Sequence, residues 1–226
     1  MGQRYSSARE VEVEHLSVLG PQLGPVYHAL HNEVAWLHAK WKQYCHLYAS
    51  AETVDLLNET AGFFFRVVQD VMWNDVMLHV ARLMERAELG RKENLVLCRL
   101  AGAIEDAALA ARVAALVERA KTETAFIRDW RNRRLAHNDL QLALDSGSQP
   151  LPDVSHDQME RALAALRAVM NEIQLHYWDS TTDYEFCVAH TDAESLTYYL
   201  SVAVKAARKQ QERWNRGDVL AEDLDP

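Results

Sequence analysis

Apolar residues recur along this chain at three- and four-residue steps over long stretches, the period of helices that bury one face. The clearest run is Val26, Leu30, Val34, Leu37, Trp41, Tyr44 and Tyr48. It predicts a long helix opened by Gly24-Pro25 and reaching about Ala49. Before it, Ser7 to Leu19 reads as a short helix stopped by Gly20-Pro21. After it, Ser50 caps a third helix that starts near Glu52 and runs to about Arg86, with a bend near Gly62. Within that helix Phe63-Phe64-Phe65 is too apolar on every side to stay exposed, so burial from several directions is expected.

Gly90 marks a stop, and Glu93 to Ile104 reads as a short helix. Asp106 then caps a helix that carries Val113, Leu116, Val117 and Phe126 into an arginine-rich end, with His137 in its last turn before Asn138-Asp139. Residues 145–152 hold Ser, Gly, Gln and Pro without apolar periodicity and read as a surface loop. Ser155 caps a helix to about Trp178 whose buried stripe is Met159, Leu163, Leu166 and Met170. After a polar turn at Asp179 to Asp183, a final helix is expected from about Ala193 to Arg213, followed by a frayed tail from Gly217 to Pro226. The pattern predicts an all-α fold, a bundle of six to seven helices.

Composition agrees with that picture. The chain has 226 residues, 49% of them hydrophobic, enough to bury one sizeable core, and nothing calls for a second domain. A single helical domain over residues 1–226, with its core about 21–213, is the expectation. No apolar run approaches the ~20 residues that span a bilayer, and Met1 to Glu14 lacks the regions of a signal peptide, so a cytoplasmic protein without a membrane partner is expected. Cys45, Cys98 and Cys187 lie far apart among apolar or aromatic neighbours and read as reduced packing residues.

A formal net charge of -9 speaks against broad, nonspecific nucleic-acid binding, which needs basic surface spread over the molecule. Any such contact must be local. Arg128-Asp129-Trp130-Arg131-Asn132-Arg133-Arg134-Leu135-Ala136-His137 is the segment dense enough in cations to supply it. Arginine grips phosphate with a fixed fork of donors, and histidine exchanges protons near neutral pH. Arginines late in a helix also offset the macrodipole, which is the plain structural alternative. On one helix Arg131 and His137 lie roughly 120° apart and ~9 Å apart along the axis, too far to touch each other easily. They can border one groove if two copies of the helix pack side by side, a geometry that favours a two-fold dimer.

Arg131-Asn132, four residues, then His137 resembles the signature of the HEPN superfamily of all-helical nucleotide-binding proteins and ribonucleases. Val54-Asp55-Leu56-Leu57-Asn58-Glu59, Phe63 to Asp70, Glu93-Asn94-Leu95 and the arginine segment through Asp139 follow the order of its abortive-infection branch, the Abi U-two group. The resemblance covers roughly residues 20 to 145. It implies a metal-independent endoribonuclease of antiphage defence that needs no cofactor. Cleavage would use the RNA's own 2′-hydroxyl and leave 2′,3′-cyclic phosphate and 5′-hydroxyl ends, at a composite site in a homodimer. Catalysis would then fall to Arg131, His137 and Asn132, and phosphate holding to Arg128, Arg133 and Arg134, with host or phage RNA as substrate. A regulatory partner or antitoxin is a further implied partner, although superfamily toxins silenced by a nucleotidyltransferase carry a tyrosine shortly after the histidine, where this chain has Asn138-Asp139-Leu140-Gln141. A noncatalytic module that binds nucleotide or RNA and recruits a partner is the alternative.

His28, His31, His38 and His46 lie beside the apolar stripe of the second helix, and only His28 and His31 are spaced for a shared ion, with no clear third ligand. They read as boundary histidines at the rim of the core or of a dimer contact. No metal site is expected. Trp130 reads as a core residue before a base-stacking one.

Overall fold

The computed structural model describes residues 7–132, 154–186, 191–218 and 220, apart from the side chains of Leu89 and Asp129. Among them are seven helices in chain order: α1 (Ala8–Tyr48), α2 (Ala51–Leu83), α3 (Cys98–Ala103), α4 (Ala107–Glu123), α5 (Ala125–Trp130), α6 (His156–Trp178) and α7 (Ala193–Arg216). Two strands of two residues, β1 (Glu88–Leu89) and β2 (Lys92–Glu93), pair antiparallel with Glu88 opposite Glu93. The all-α expectation holds, and no helix among the described residues is long and apolar enough to cross a membrane.

The chain divides into two compact units. One comprises residues 1–39 and 74–186, the other residues 40–73 and 187–226. The first is built around α6, which α4 packs along, with α3 and α5 against α4. Met159, Leu163, Leu166 and Met170 are each 0% exposed, as the stripe predicted. Ser155 forms a full capping box with Gln158, satisfying two backbone donors at once. Asp179 in the left-handed conformation (φ 49°) ends the helix. In the second unit, Leu47, Leu57, Phe65 and Ala193 form a small core, against which Tyr48, Met72 and Leu200 pack.

Several local expectations shift. Residues 8–19 and 21–48 abut without a connecting loop, because Gly20 (φ 75°, ψ -179°) absorbs the whole change of direction and the two prolines sit near the start of the second segment. The bend of α2 falls at Ala61 (φ -153°, ψ 58°), one residue before Gly62. Glu93 belongs to the hairpin closed by Gly90 (φ 65°), so the short helix starts at Cys98. Thr124 divides the helix expected through the arginine segment. Its hydroxyl and its N–H both engage the Ala120 carbonyl, at 2.7 and 3.0 Å, and α5 begins afresh after it. Phe63 and Phe64 are 86% and 60% exposed, and only Phe65 is buried. Successive residues turn by about 100° around a helix, so a core on one side takes one of three consecutive side chains.

A polar seam crosses the first unit beside its apolar core. His15 Nδ1 and His28 Nδ1 are 3.1 Å apart, and His31 Nδ1 is 2.9 Å from the Tyr184 hydroxyl. The Tyr27 hydroxyl donates to Gln174 Oε1 at 3.2 Å, which also accepts from the Thr182 hydroxyl at 2.5 Å. His38 stacks on Tyr184 and is only 3% exposed, so it is a core histidine and not a rim one. Burial, with the nearby charge of Arg167 adding to it, pulls its pKa down to about 4. Burial, then His15 and His28, does the same to His31, also to about 4.

Candidate functional site

The arginine segment opens onto a cavity in the first unit. The end of α2 supplies Ala81 and the residues just after it, Met84, Glu85 and Arg86. Cys98 comes from the start of α3, and Lys121 and Thr124 from the end of α4. The far wall is Ala125, Ile127, Arg128, Arg131 and Asn132. The volume of about 570 Å³ lies within the range that holds small ligands or one extruded nucleotide.

Local sequence explains this placement. Thr124 restarts the helix, so α5 carries Ile127 inward at 1% exposure while Arg128, one residue on, faces out. At Arg131 and Asn132 the helical path widens to a π turn, a departure that recurs at functional sites. Arg131 is 30% exposed and forms an ion pair with Glu85 across the cavity. Its Nε also donates to Asn132 Oδ1 at 3.1 Å. One guanidinium is therefore held from two sides, by a carboxylate from the α2 end and by its own neighbour. Fixing a long side chain in this way removes much of the rotamer entropy that would otherwise oppose ligand binding.

The cavity is mixed in character. Ala81, Met84, Ala125 and Ile127 give it apolar wall, and Arg86, Lys121, Arg128 and Arg131 give it four cations against the single carboxylate of Glu85. Lys121 also donates to Glu118 at 2.5 Å. A cationic rim over an apolar wall suits a ligand with a phosphate and a flat ring. Trp130 is half-buried and is not among the lining residues.

Of the residues singled out from the sequence, Arg128, Arg131 and Asn132 come together on this one cavity. Arg133, Arg134 and His137 lie outside the described residues. Glu85, Arg86, Lys121 and Cys98 were not foreseen. They arrive from three other stretches of chain, and no spacing in the sequence links them to the arginine segment. Cys45 and Cys98 are free thiols, and Cys187 lies outside the described residues. In the second unit His46, Asp192 and Glu194 each place one donor atom within 4.8 Å of the others. One Asp192 oxygen accepts from the Ser195 N–H as the cap of α7, and the positive end of that helix dipole opposes a cation there.

The family model AbiU2, of the HEPN group, matches residues 21–196. No curated protein and no solved structure matches the chain. The match spans more than half of the sequence, and the chain belongs to the AbiU2 family of HEPN domains.

Proposed function

We propose that this member of the AbiU2 family is a metal-independent endoribonuclease acting in abortive infection, and that its site is the cavity bordered by Arg128, Arg131 and Asn132. Membership itself supports an abortive-infection-associated role. The observation that carries the finer reading is the convergence of the Arg-Asn pair of the motif on one cationic cavity, with Arg131 already oriented there by Glu85.

In this reading an unpaired nucleotide enters the cavity and its 3′-phosphate meets Arg131. The 2′-hydroxyl attacks the adjacent phosphorus while its proton passes to a base. The 5′-oxygen of the next nucleotide leaves and takes up a proton, which gives 2′,3′-cyclic phosphate and 5′-hydroxyl ends. His137 serves as the proton-transfer group, as base or as acid. Arg131 stabilises the extra negative charge of the transition state, where a preorganised donor contributes on the order of several kcal/mol. Asn132 holds the guanidinium plane, and Arg128, with Arg133 and Arg134, holds flanking phosphates. A two-fold homodimer brings two copies of the motif to one composite site. In this reading the protein works in the cytoplasm.

Glu85 gives the site a specific property. A phosphate must share or displace that carboxylate to reach Arg131, so a ligand that binds without reaching the transition state is the natural second reading, a noncatalytic RNA-binding module. The two are separated by incubating wild type, Arg131→Ala and His137→Ala with total RNA and end-labelled tRNA in EDTA. Cyclic-phosphate ends from wild type alone are the expected result. RNA binding that depends on Arg131 without any product would replace the enzyme by the binding module. Equal cleavage by wild type and His137→Ala would remove His137 from the mechanism.

A further inference from the structure

Helix α7 has 24 residues, and Ala193 is its one buried residue. Its inner side is set by Ala193 and Leu200, the latter packed on the small core of the second unit. On a helical projection of about 100° per residue, Tyr198, Lys205, Lys209 and Arg216 fall within about 40° of one another on the opposite side. Val202 and Glu212 flank them on the same face. All six are exposed, Tyr198 at 64%. The stripe runs about 27 Å from Tyr198 to Arg216 at 1.5 Å per residue.

The charge of this stripe runs against that of the chain. It carries three cations, Lys205, Lys209 and Arg216, against the one flanking carboxylate of Glu212, in a protein of net charge -9. Cations in the last turn offset the helix dipole, which accounts for Arg213 and Arg216. Lys205 and Lys209 sit further back, beyond the reach of that effect. Arg208, on another face, pairs with Glu59 at 2.5 Å. Among the described residues Lys205, Lys209 and Arg216 have no carboxylate partner.

We infer that this face of α7 is a second, separate binding surface for single-stranded RNA, with Tyr198 stacking on a base and Lys205, Lys209 and Arg216 following the phosphates. The length of the stripe matches on the order of eight nucleotides at ~3.4 Å each along a stacked strand. A second copy of the chain fits poorly, because two such stripes would set cations against cations. Helix α7 also exposes Leu196, Tyr199 and Trp214 on a face apart from the cation stripe, so a membrane surface is the competing occupant that the vesicle arm of the test decides. The inference shares with the proposed function only the premise that RNA is the partner.

The test uses full-length protein and a fluorescent, unstructured 2′-O-methyl RNA of about twelve nucleotides, longer than the ~3.4 Å-per-nucleotide footprint and unable to undergo 2′-hydroxyl attack. The triple variant Lys205→Gln, Lys209→Gln, Arg216→Gln is expected to bind about tenfold more weakly at low salt. Its slope of log affinity on log salt should be shallower by about two, because each phosphate that a cation neutralises on a single strand adds ~0.7 to that slope. Tyr198→Ala should bind about fivefold more weakly, and Tyr198→Phe like wild type. Arg208→Gln, off the stripe, should bind like wild type. Unchanged far-UV dichroism in each variant shows that α7 is still formed. The inference is overturned if the triple variant keeps wild-type affinity and salt slope. It is equally overturned if the triple substitution abolishes binding to anionic phospholipid vesicles and leaves RNA binding intact, or if wild type does not bind this RNA. Failure of the ribonuclease reading is distinct: it shows as no cleavage of natural RNA while this binding and its dependence on α7 persist.

Discussion

Helices α6 and α7 are nearly equal in length, 23 and 24 residues, and opposite in burial. Eight residues of α6 are buried, and one of α7. Both are capped by a side chain at the N-terminus and closed by a left-handed residue, Asp179 or Gly217. Local signals therefore make two equally well-defined helices, and tertiary packing distinguishes them. The difference shows that helix formation and core formation are separate outcomes of sequence. The first needs caps and propensity, the second an apolar stripe with something to meet it.

The sharpest way to break this comparison is to truncate one residue on each helix. Leu163→Ala removes a fully buried side chain from the α6 stripe and should lower unfolding stability by roughly 2–5 kcal/mol, transfer and cavity terms together. Tyr198→Ala on α7 should leave it within about 0.5 kcal/mol. Chemical denaturation of both variants checks the pair, and equal losses would mean that α7 is as much a structural element as α6.

Next comes pH, which acts on the first unit. His31 and His38 are held near pKa 4 by burial, against an ordinary value of 6.5. Above pH 6.5 both are neutral whether folded or unfolded, and their contribution is fully present. As pH falls from 6.5 towards 4 the unfolded chain takes up protons that the folded one refuses, so stability is lost over that window. His38 faces Arg167, which disfavours its protonation, and Asp183, which favours it, so burial with Arg167 prevails. The gap between the ordinary and the folded value corresponds to on the order of 3 kcal/mol for this histidine. Denaturant midpoints at several pH values should fall below pH 6.5, and His38→Gln should flatten that fall. A flat profile for wild type would mean that water reaches the seam.

The contrast also shows what could be read from the chain. Period alone placed the α6 stripe, because Met159, Leu163, Leu166 and Met170 repeat on one face, are all fully buried, and α6 packs along α4. The same rule failed at Phe63 and Phe64, where hydrophobicity was counted without asking how many sides of α2 a small core can cover. The arginine segment was legible because its motif is local, and Arg128, Arg131 and Asn132 share one cavity. Glu85 was not legible, since its pairing with Arg131 depends on where α2 ends relative to α5, a matter of packing over 46 residues of chain. The histidine seam was half visible: the helical spacing of His28, His31 and His38, with Tyr27 four residues before His31, was apparent, but Tyr184 and Gln174, which complete it, are brought there by the fold.

A smaller effect tests the caps that α6 and α7 share. Ser155→Ala removes the side-chain acceptor of the α6 capping box, and the Gln158 side chain then holds the Ser155 N–H alone. The loss should be about 1 kcal/mol. It should be expressed fully, because the end of α6 is coupled to a packed core and cannot fray independently. A loss too small to measure would indicate that the first turn of α6 frays in wild type.

The smallest effect belongs to the ion pair that ties α7 to α2. Arg208 donates from Nε and Nη2 to the two Glu59 oxygens at 2.8 and 2.5 Å, a bidentate arrangement. Both side chains are open to solvent, at 65% and 40%, so water and salt screen most of the attraction. A double-mutant cycle of Arg208→Gln and Glu59→Gln should show coupling at the limit of detection in physiological salt, rising as salt is removed. If the coupling were large and insensitive to salt, the C-terminal half of α7 would be held as firmly as α6. Its cationic stripe would then be presented on a rigid rod, and Glu59→Gln should change RNA affinity. If the coupling is small, that half of the helix is free to adjust along a bound strand, and Glu59→Gln should leave affinity unchanged.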